Sequence, residues 1–292
     1  MLKPDIHIKR SDVVLGIIIL VGAALVYYRI AYGLNYKWNW AQIPQFLFRY
    51  DAETGQWVSN VLMWGFFNTL RLSVWSAGPA LIIGTLLGIC RTSKSLFLRL
   101  ASGTYVEILR NLPPLVIIFI VYFFVGSHLL PLDAMSRALG NQPVWVQGWL
   151  TFLLAPPERF APFVSALLTL AIFEGAYIAE IVRAGIQSIG TGQWEAGHSL
   201  GLSKAQQMRH IILPQAFARI LPPLAGQFIS LIKDSSIVSV ISIAELTFRA
   251  NELMTGTLLT METWIVVTAM YLVLTLPCSL AVDYLERRSR LH

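Results

Sequence analysis

Long apolar runs, broken by short polar segments, organise this chain. A bilayer core about 30 Å thick takes about 20 apolar residues as a helix, and six stretches approach that length: residues 13–28, 72–90, 111–132, 161–186, 222–244 and 263–282. Four of them carry no Lys, Arg, Asp or Glu. The other two are interrupted, 161–186 by Glu174, Glu180 and Arg183, and 222–244 by Lys233 and Asp234. The first stretch is too long for a signal-peptide core and lacks a small-residue cleavage site, so it reads as a retained anchor with Arg29 snorkelling at its end. A single helix over 58–90 would be roughly 50 Å long, too long for one span. Residues 57–70 are therefore expected to form an interfacial helix or an extension beyond the bilayer, with Arg71 snorkelling at the boundary. The pattern predicts an all-α, polytopic membrane protein of about six spans.

Composition supports this pattern. Of 292 residues, 55% are hydrophobic and 13% charged, against roughly 25% charged in soluble domains, so lipid solvates most of the surface. The net charge of +6 does not point to nucleic acid, because the basic residues sit in short clusters between apolar runs. Those clusters precede the first span, follow the second, fill the gap between the fourth and fifth and follow the last. The positive-inside rule then puts both termini in the cytoplasm, as an even number of spans requires. Residues 33–56 and 133–159 fall on the opposite side. They are rich in Trp, Tyr, Pro and Asn, with turn chemistry at 140–143 and 155–158. Cys90 and Cys278 have no pairing or metal spacing and read as buried hydrophobes. No internal repeat of the secondary-transporter kind is visible. No GxxxxGK[ST] loop occurs, so any ATP work must come from a partner.

Between the fourth and fifth spans, residues 190–214 depart from a simple connector. Thr191 or Gly192 can begin a helix with Glu195 in its first turn. Ala196, Gly197 and Gly201 offer a surface with little side chain for close approach of another protein. Gly201 breaks the helix, Ser203 caps a second one expected over 204–212, and Pro214 permits a new turn. Two short angled helices on the cytoplasmic face result. His198 and His210 lie here without a ligand set, so metal binding is not expected.

The spacing Glu-Ala-small, three residues, Gly, nine residues, Ile, one residue, Leu-Pro resembles the "EAA" loop of permease subunits in ATP-binding-cassette importers. It is filled here by Glu195, Ala196, Gly197, Gly201, Ile211, Leu213 and Pro214, with Leu202 beside it. Gly197 stands where alanine is usual. The stretches Glu107-Ile-Leu-Arg-Asn-Leu-Pro-Pro114, Ala176-Tyr-Ile-Ala-Glu-Ile-Val-Arg183, Gly192-Gln-Trp-Glu195 and Ser230-Leu-Ile-Lys-Asp-Ser-Ser236 are similar to the polar-amino-acid branch. The likeness covers about 64–288. It implies two regions: an N-terminal helix and extracytoplasmic segment (1–57), and a five-helix type I permease domain (58–292) with its coupling loop at 190–214. It further implies a multi-pass protein of the bacterial inner membrane and a second permease chain, identical or paralogous. A pair of cytoplasmic ATPases would hold the ATP and Mg, with none bound by this chain, and an extracytoplasmic amino-acid-binding protein would deliver the substrate. A secondary transporter or channel without an ATPase is the alternative. An enzyme is not expected, because no paired carboxylate, zinc motif or activated serine stands at a recognisable spacing.

Charges inside a bilayer are costly and face the bundle interior or a wet cavity. Counted from Pro222, Lys233 falls roughly 17 Å into the membrane. Asp234, Ser235 and Ser236 follow it, and Glu174 lies mid-span with Tyr177 one turn along. An amino acid in transit presents an ammonium and a carboxylate. Glu174, Tyr177, Lys233, Asp234, Ser235 and Ser236 therefore either line the transport path or form ion pairs within the bundle or across a dimer interface. Glu180 with Arg183, and Glu107 with Arg110, are spaced i,i+3 and read as structural pairs. Charges of both signs suit a zwitterion without separating glutamate, aspartate, glutamine, histidine and arginine, and the reading leans to an acidic or amide side chain.

Overall fold

The computed structural model describes residues 10–29, 36–124 and 131–289. The chain falls into two compact units, Met1–Trp40 and Ala41–His292. In the first, helix α1 (Arg10–Tyr28) covers the first predicted span. The remaining elements all belong to the second unit.

That unit begins with a short helix α2 (Ile43–Leu47) and a hairpin of β1 (Phe48–Asp51) and β2 (Gln56–Ser59), paired antiparallel with Phe48 opposite Ser59. The turn is closed by Asp51, whose carboxylate accepts from Glu53 N–H and Thr54 Oγ1. These donors hold its pKa below the ordinary value. Asn60 joins the hairpin to the bundle. Its side chain caps α3 by accepting from Val61 N–H, its Nδ2 donates to Gln45 O at 2.6 Å, and its N–H donates to Leu47 O. From there α3 (Val61–Arg91) runs unbroken for 31 residues. Residues 61–70 are the first turns of this same helix, and 57–59 belong to the strand before it.

α3 packs beside α8 (Pro157–Gln187), and the two run parallel. Leu72 clusters with Phe163 and Leu167, and Gly88 lies against Val182 more than four turns later. Small residues permit this approach. A Cβ on Gly84 would come within 2.4 Å of Ile178 Cγ2, and one on Gly88 within 2.8 Å of Ala179 O. Helices in lipid gain their association from such close van der Waals contact, since burial of apolar surface gives no advantage there.

The third predicted span, 111–132, is corrected. Its polar neighbour is itself helical, α4 (Leu96–Asn111), and meets α5 (Pro114–Ile120) at a 115° bend. Pro113 and Pro114 lack the N–H that would continue the helix, and they force Leu112 to an extended ψ of 148°. The two helices reach the length and apolarity of a span only together. Residues 125–130 of the predicted stretch lie outside the described residues.

α6 (Leu132–Gly140) and α7 (Val144–Leu153) occupy the region read as a loop, separated by turns where predicted. The fifth span also starts earlier than expected. α10 (Lys204–Gln207) passes through one π turn, Met208–Ile212, into α11 (Leu213–Asp234) and a 3-10 segment, Ser235–Ile241. Pro222 and Pro223 sit inside α11 rather than at its start. After Ser242, whose φ of 61° ends this rod, come α12 (Leu246–Thr257) and α13 (Thr260–Ser289). Four helical stretches among the described residues are long and apolar enough to cross a membrane, and the bent pair makes a fifth. The expectation of an all-α membrane protein is met.

Candidate functional site

At the end of α8, α9 (Thr191–Ser199) folds back into α10 through a two-part turn. Gly201 takes φ +70°, which L side chains resist. Its N–H donates to His198 O, and Leu202 N–H donates to Gly197 O, the reciprocal pair that closes a helix C-terminus. Ser203 then opens α10 with a capping box: Ser203 Oγ accepts from Gln206 N–H, and Gln206 Oε1 accepts from Ser203 N–H. The loop is thus two helical arms held at a fixed angle.

Burial sorts its residues. Trp194, Met208 and Ile211 pack onto a core of Ile186, Ile189 and Ile212 at the end of α8. Glu195, Ala196 and Gly201 are exposed, Leu202 is half-buried, and Pro214 is exposed at the start of α11. Gly197 corrects the sequence reading. It does not face outward but is buried between the arms, where a Cβ would meet Gln207 Cγ at 2.9 Å and Ile211 Cδ1 at 3.0 Å. Pro214 likewise opens no new turn, because the rod continues through it. The π turn before it accommodates the missing N–H. Sequence reasoning missed Leu200, a large apolar side chain 76% exposed at the tip. Apolar residues placed so openly at a turn are a recognisable signal for contact with another chain.

The second region lies halfway along α8. Glu174 is fully buried. Gln227 of α11 donates from Nε2 to its Oε2 at 2.6 Å, while Oε1 accepts from no N–H among the described residues and has the Asp234 carboxyl within hydrogen-bonding reach of its group. Asp234 is close enough to interact with the same carboxylate. Tyr177, beside Phe173, lies within electrostatic reach of Glu174 and Asp234, and the Arg110 guanidinium stands 5.6 Å from its ring centroid. A cavity of about 240 Å³ between α3, α8 and α11 reaches Glu174 and Gln227.

Of the six path candidates, then, Glu174, Tyr177 and Asp234 come together. Lys233 is exposed, Ser236 is half-buried, and Ser235 is buried with its hydroxyl donating to Ile232 O. Counted along the continuous rod from Leu213, Lys233 sits roughly 30 Å from its start, so more helix precedes it than a start at Pro222 suggested. Gln227 escaped the sequence reading because an amide in an apolar helix carries no charge to notice.

A third cluster joins α3, α4 and α8. Glu180 bonds Arg183, as expected, and also Arg91 at 2.5 Å and Arg110 at 3.7 Å. The expected Glu107–Arg110 pair is not among the ion pairs found. Glu107 instead reaches Arg91 at 3.5 Å and accepts from Asn111 Nδ2 at 3.2 Å. Arg110 has turned toward α8, because that helix offers both Glu180 and the face of Tyr177.

Membrane-spanning helices, an exposed two-armed loop between two of them and a buried polar site midway define a transport protein's membrane component. The chain belongs to the family described as binding-protein-dependent transport system inner membrane component, which it matches over residues 80–291. It is 35% identical to the probable glutamine ABC transporter permease protein GlnM of Bacillus subtilis (strain 168), over 78% of this chain and 93% of that one. It is 30% identical to the glutamate/aspartate import permease protein GltJ of Escherichia coli (strain K12), over 88% and 97% respectively. A crystal structure of an amino acid ABC transporter with histidines superposes with a TM-score of 0.66 at 29% identity, covering 87% of this chain and all of that one.

Proposed function

We propose that this chain is the permease subunit of an ATP-driven, binding-protein-dependent importer of polar amino acids in a bacterial inner membrane, with both termini cytoplasmic. The observation that carries the proposal is the two-armed loop at 191–213. Its inner face is locked onto α8 while Glu195, Ala196, Leu200 and Gly201 project from it. A rigid lever of this kind transmits a push along the α8 and α10–α11 rods into the bundle. Pairs of ATPase subunits, which hold the ATP and Mg, dock beneath it. A second permease chain completes the path, and a binding protein delivers the amino acid from the opposite side. Glu174, Asp234 and Tyr177, with Gln227, form this chain's share of the path. Lys233, Ser235 and Ser236 stand on the same stretch of α11 and the turn after it. The relatives that handle glutamine and glutamate/aspartate favour a substrate with an acidic or amide side chain.

The test is uptake by proteoliposomes holding this chain with its ATPase and binding protein. ATP-dependent accumulation of labelled glutamine or glutamate, abolished when the binding protein is left out, supports the reading. Uptake driven by an ion gradient without any ATPase overturns it in favour of a secondary transporter.

A further inference from the structure

A second cavity lies at the far end of the bundle from the 191–213 loop. It is bounded by the first turns of α3, the start of α8 and residues 242–252, and encloses about 350 Å³. Small-molecule sites begin at about 300 Å³, so this space suits a single amino acid better than a nucleotide or peptide. Its walls are unusually charged for an apolar bundle: Arg159, Arg249 and Glu252 line it, together with Asn68. Asn68 is already engaged, donating to Ala244 O at 2.8 Å and accepting from Arg71 at 3.4 Å, and so fixes the wall rather than reading a ligand.

Arg249 is the informative residue. Its stem lies against Gly65 of α3, where a Cβ would come within 3.2 Å of both Arg249 Cβ and Cγ. The aliphatic part of the side chain is therefore anchored. Nη1 donates to Glu252 at 2.6 Å. Nε is buried and has no hydrogen-bond partner among the described residues. A guanidinium binds carboxylates best in pairs of parallel N–H bonds, and the edge formed by Nε and Nη2 is the one that Glu252 does not use. A buried donor without an acceptor is a standing cost, which a ligand carboxylate reached by a modest turn of the guanidinium removes. Glu252, half-exposed, offers an acceptor for an ammonium group beside it.

We propose that this cavity is a binding subsite for an amino-acid zwitterion, with Arg249 taking the α-carboxylate and Glu252 the α-ammonium. Arg159 remains for an acidic or amide side chain. The inference rests on the import function proposed above, under which this end faces the incoming amino acid, and places a receiving station ahead of Glu174.

The test uses the complete transporter in nanodiscs, without ATP or binding protein, and measures equilibrium binding of labelled L-glutamate and L-glutamine. Arg249→Gln and Glu252→Gln are each expected to weaken binding at least tenfold in variants that still co-purify with the ATPase. The exchange Arg249→Glu with Glu252→Arg restores the ion pair but inverts it. If the pair is only structural, this double variant recovers wild-type behaviour and the proposal fails. It fails equally if the single variants bind as the wild type does, or if the wild type binds neither L-glutamate nor L-glutamine. A wild type that binds but shows no ATP-dependent uptake in proteoliposomes overturns the import function and leaves the subsite standing. Uptake and binding that ignore all these variants do the reverse.

Discussion

Gln227 reaches from α11 to α8 and places its amide on Oε2 of Glu174 at 2.6 Å, while the Asp234 carboxyl comes within hydrogen-bonding reach of the same side chain. Two carboxyl groups held this close in a buried site are expensive to keep charged together. A structural ion pair would present two matched charges, whereas here a neutral amide holds one oxygen while Asp234, of the same sign, stands near. Such an arrangement suits a cationic group that arrives and leaves.

Glu174→Gln is therefore expected to reduce uptake more than tenfold while the protein still folds and assembles. Gln227→Leu removes the donor on Oε2 and is expected to lower stability by about 1–3 kcal/mol. Thermal unfolding in detergent distinguishes them. If Glu174→Gln unfolds the chain as readily as Gln227→Leu does, the carboxylate is a structural group and not part of a path.

The tip of the 191–213 loop separates docking from folding. Leu200 is exposed, and its removal costs the isolated chain nothing in packing. Leu200→Asp is expected to keep the chain monodisperse but to abolish co-purification with the ATPase, because a carboxylate cannot be buried unpaired in a docked interface. Gly201→Val acts differently. It forces a β-branched residue to φ +70°, which costs of order 1–3 kcal/mol, so it is expected to loosen the angle between the arms and lower ATP-driven uptake even where docking persists. Unimpaired co-purification of Leu200→Asp would exclude this tip from the contact.

The α3–α8 seam sets how closely the two longest helices approach. At Gly84 a Cβ would fall 2.4 Å from Ile178 Cγ2 and 2.9 Å from Gly175 O. Ile178 can partly yield, but the Gly175 carbonyl is backbone and cannot. Gly84→Leu is expected to destabilise the bundle by about 1–3 kcal/mol or more, seen as a lower Tm in detergent. Adding Ile178→Ala recovers only part of the loss, since the backbone clash remains. Full recovery would mean that side-chain crowding alone governs the seam.

What the sequence revealed and what it hid follow physical lines. The loop was legible because its residues act locally. Gly201 ends one arm and Ser203 caps the next, and both roles are written in the residue types themselves. The helix boundaries were less legible at prolines, with 214 and 222 read as places where a segment begins and 113–114 read as lying within a span. Pro222 and Pro223 stay within α11, and Pro214 sits at that helix's first turn, while Pro113–Pro114 bend the chain by 115°. The same residue types give opposite outcomes because the surrounding helices decide which freed carbonyls can be tolerated. α4 went unseen because Arg99, Glu107 and Arg110 lower its apolarity, although Arg91, Glu180 and Tyr177 receive two of those charges in the fold. Gly197 faced inward for a reason no spacing carries: Gln207, ten residues later, returns to cover it.

Glu245 gives the bundle end a dependence on pH. It is fully buried at the N-cap of α12, where its carboxylate accepts from Thr247 N–H, Phe248 N–H and Tyr271 Oη at 2.7–2.9 Å and, more weakly, from Thr69 Oγ1 at 3.4 Å. Burial outweighs these donors and pushes its pKa up to about 7 from the ordinary 4.5. Because the folded value lies above the unfolded one, the group's contribution to stability is complete below about pH 4.5. It falls as the pH rises toward 7, by something on the order of 3 kcal/mol in all. Hydrogen exchange in the amides of α12 is therefore expected to be slower at pH 5.5 than at pH 8, once intrinsic exchange rates are corrected for. In Glu245→Gln, which cannot ionise, that difference is expected to vanish while the cap persists through the amide oxygen. Equal protection of α12 at both pH values in the unaltered protein would show that the four donors, not burial, set the charge of this carboxyl.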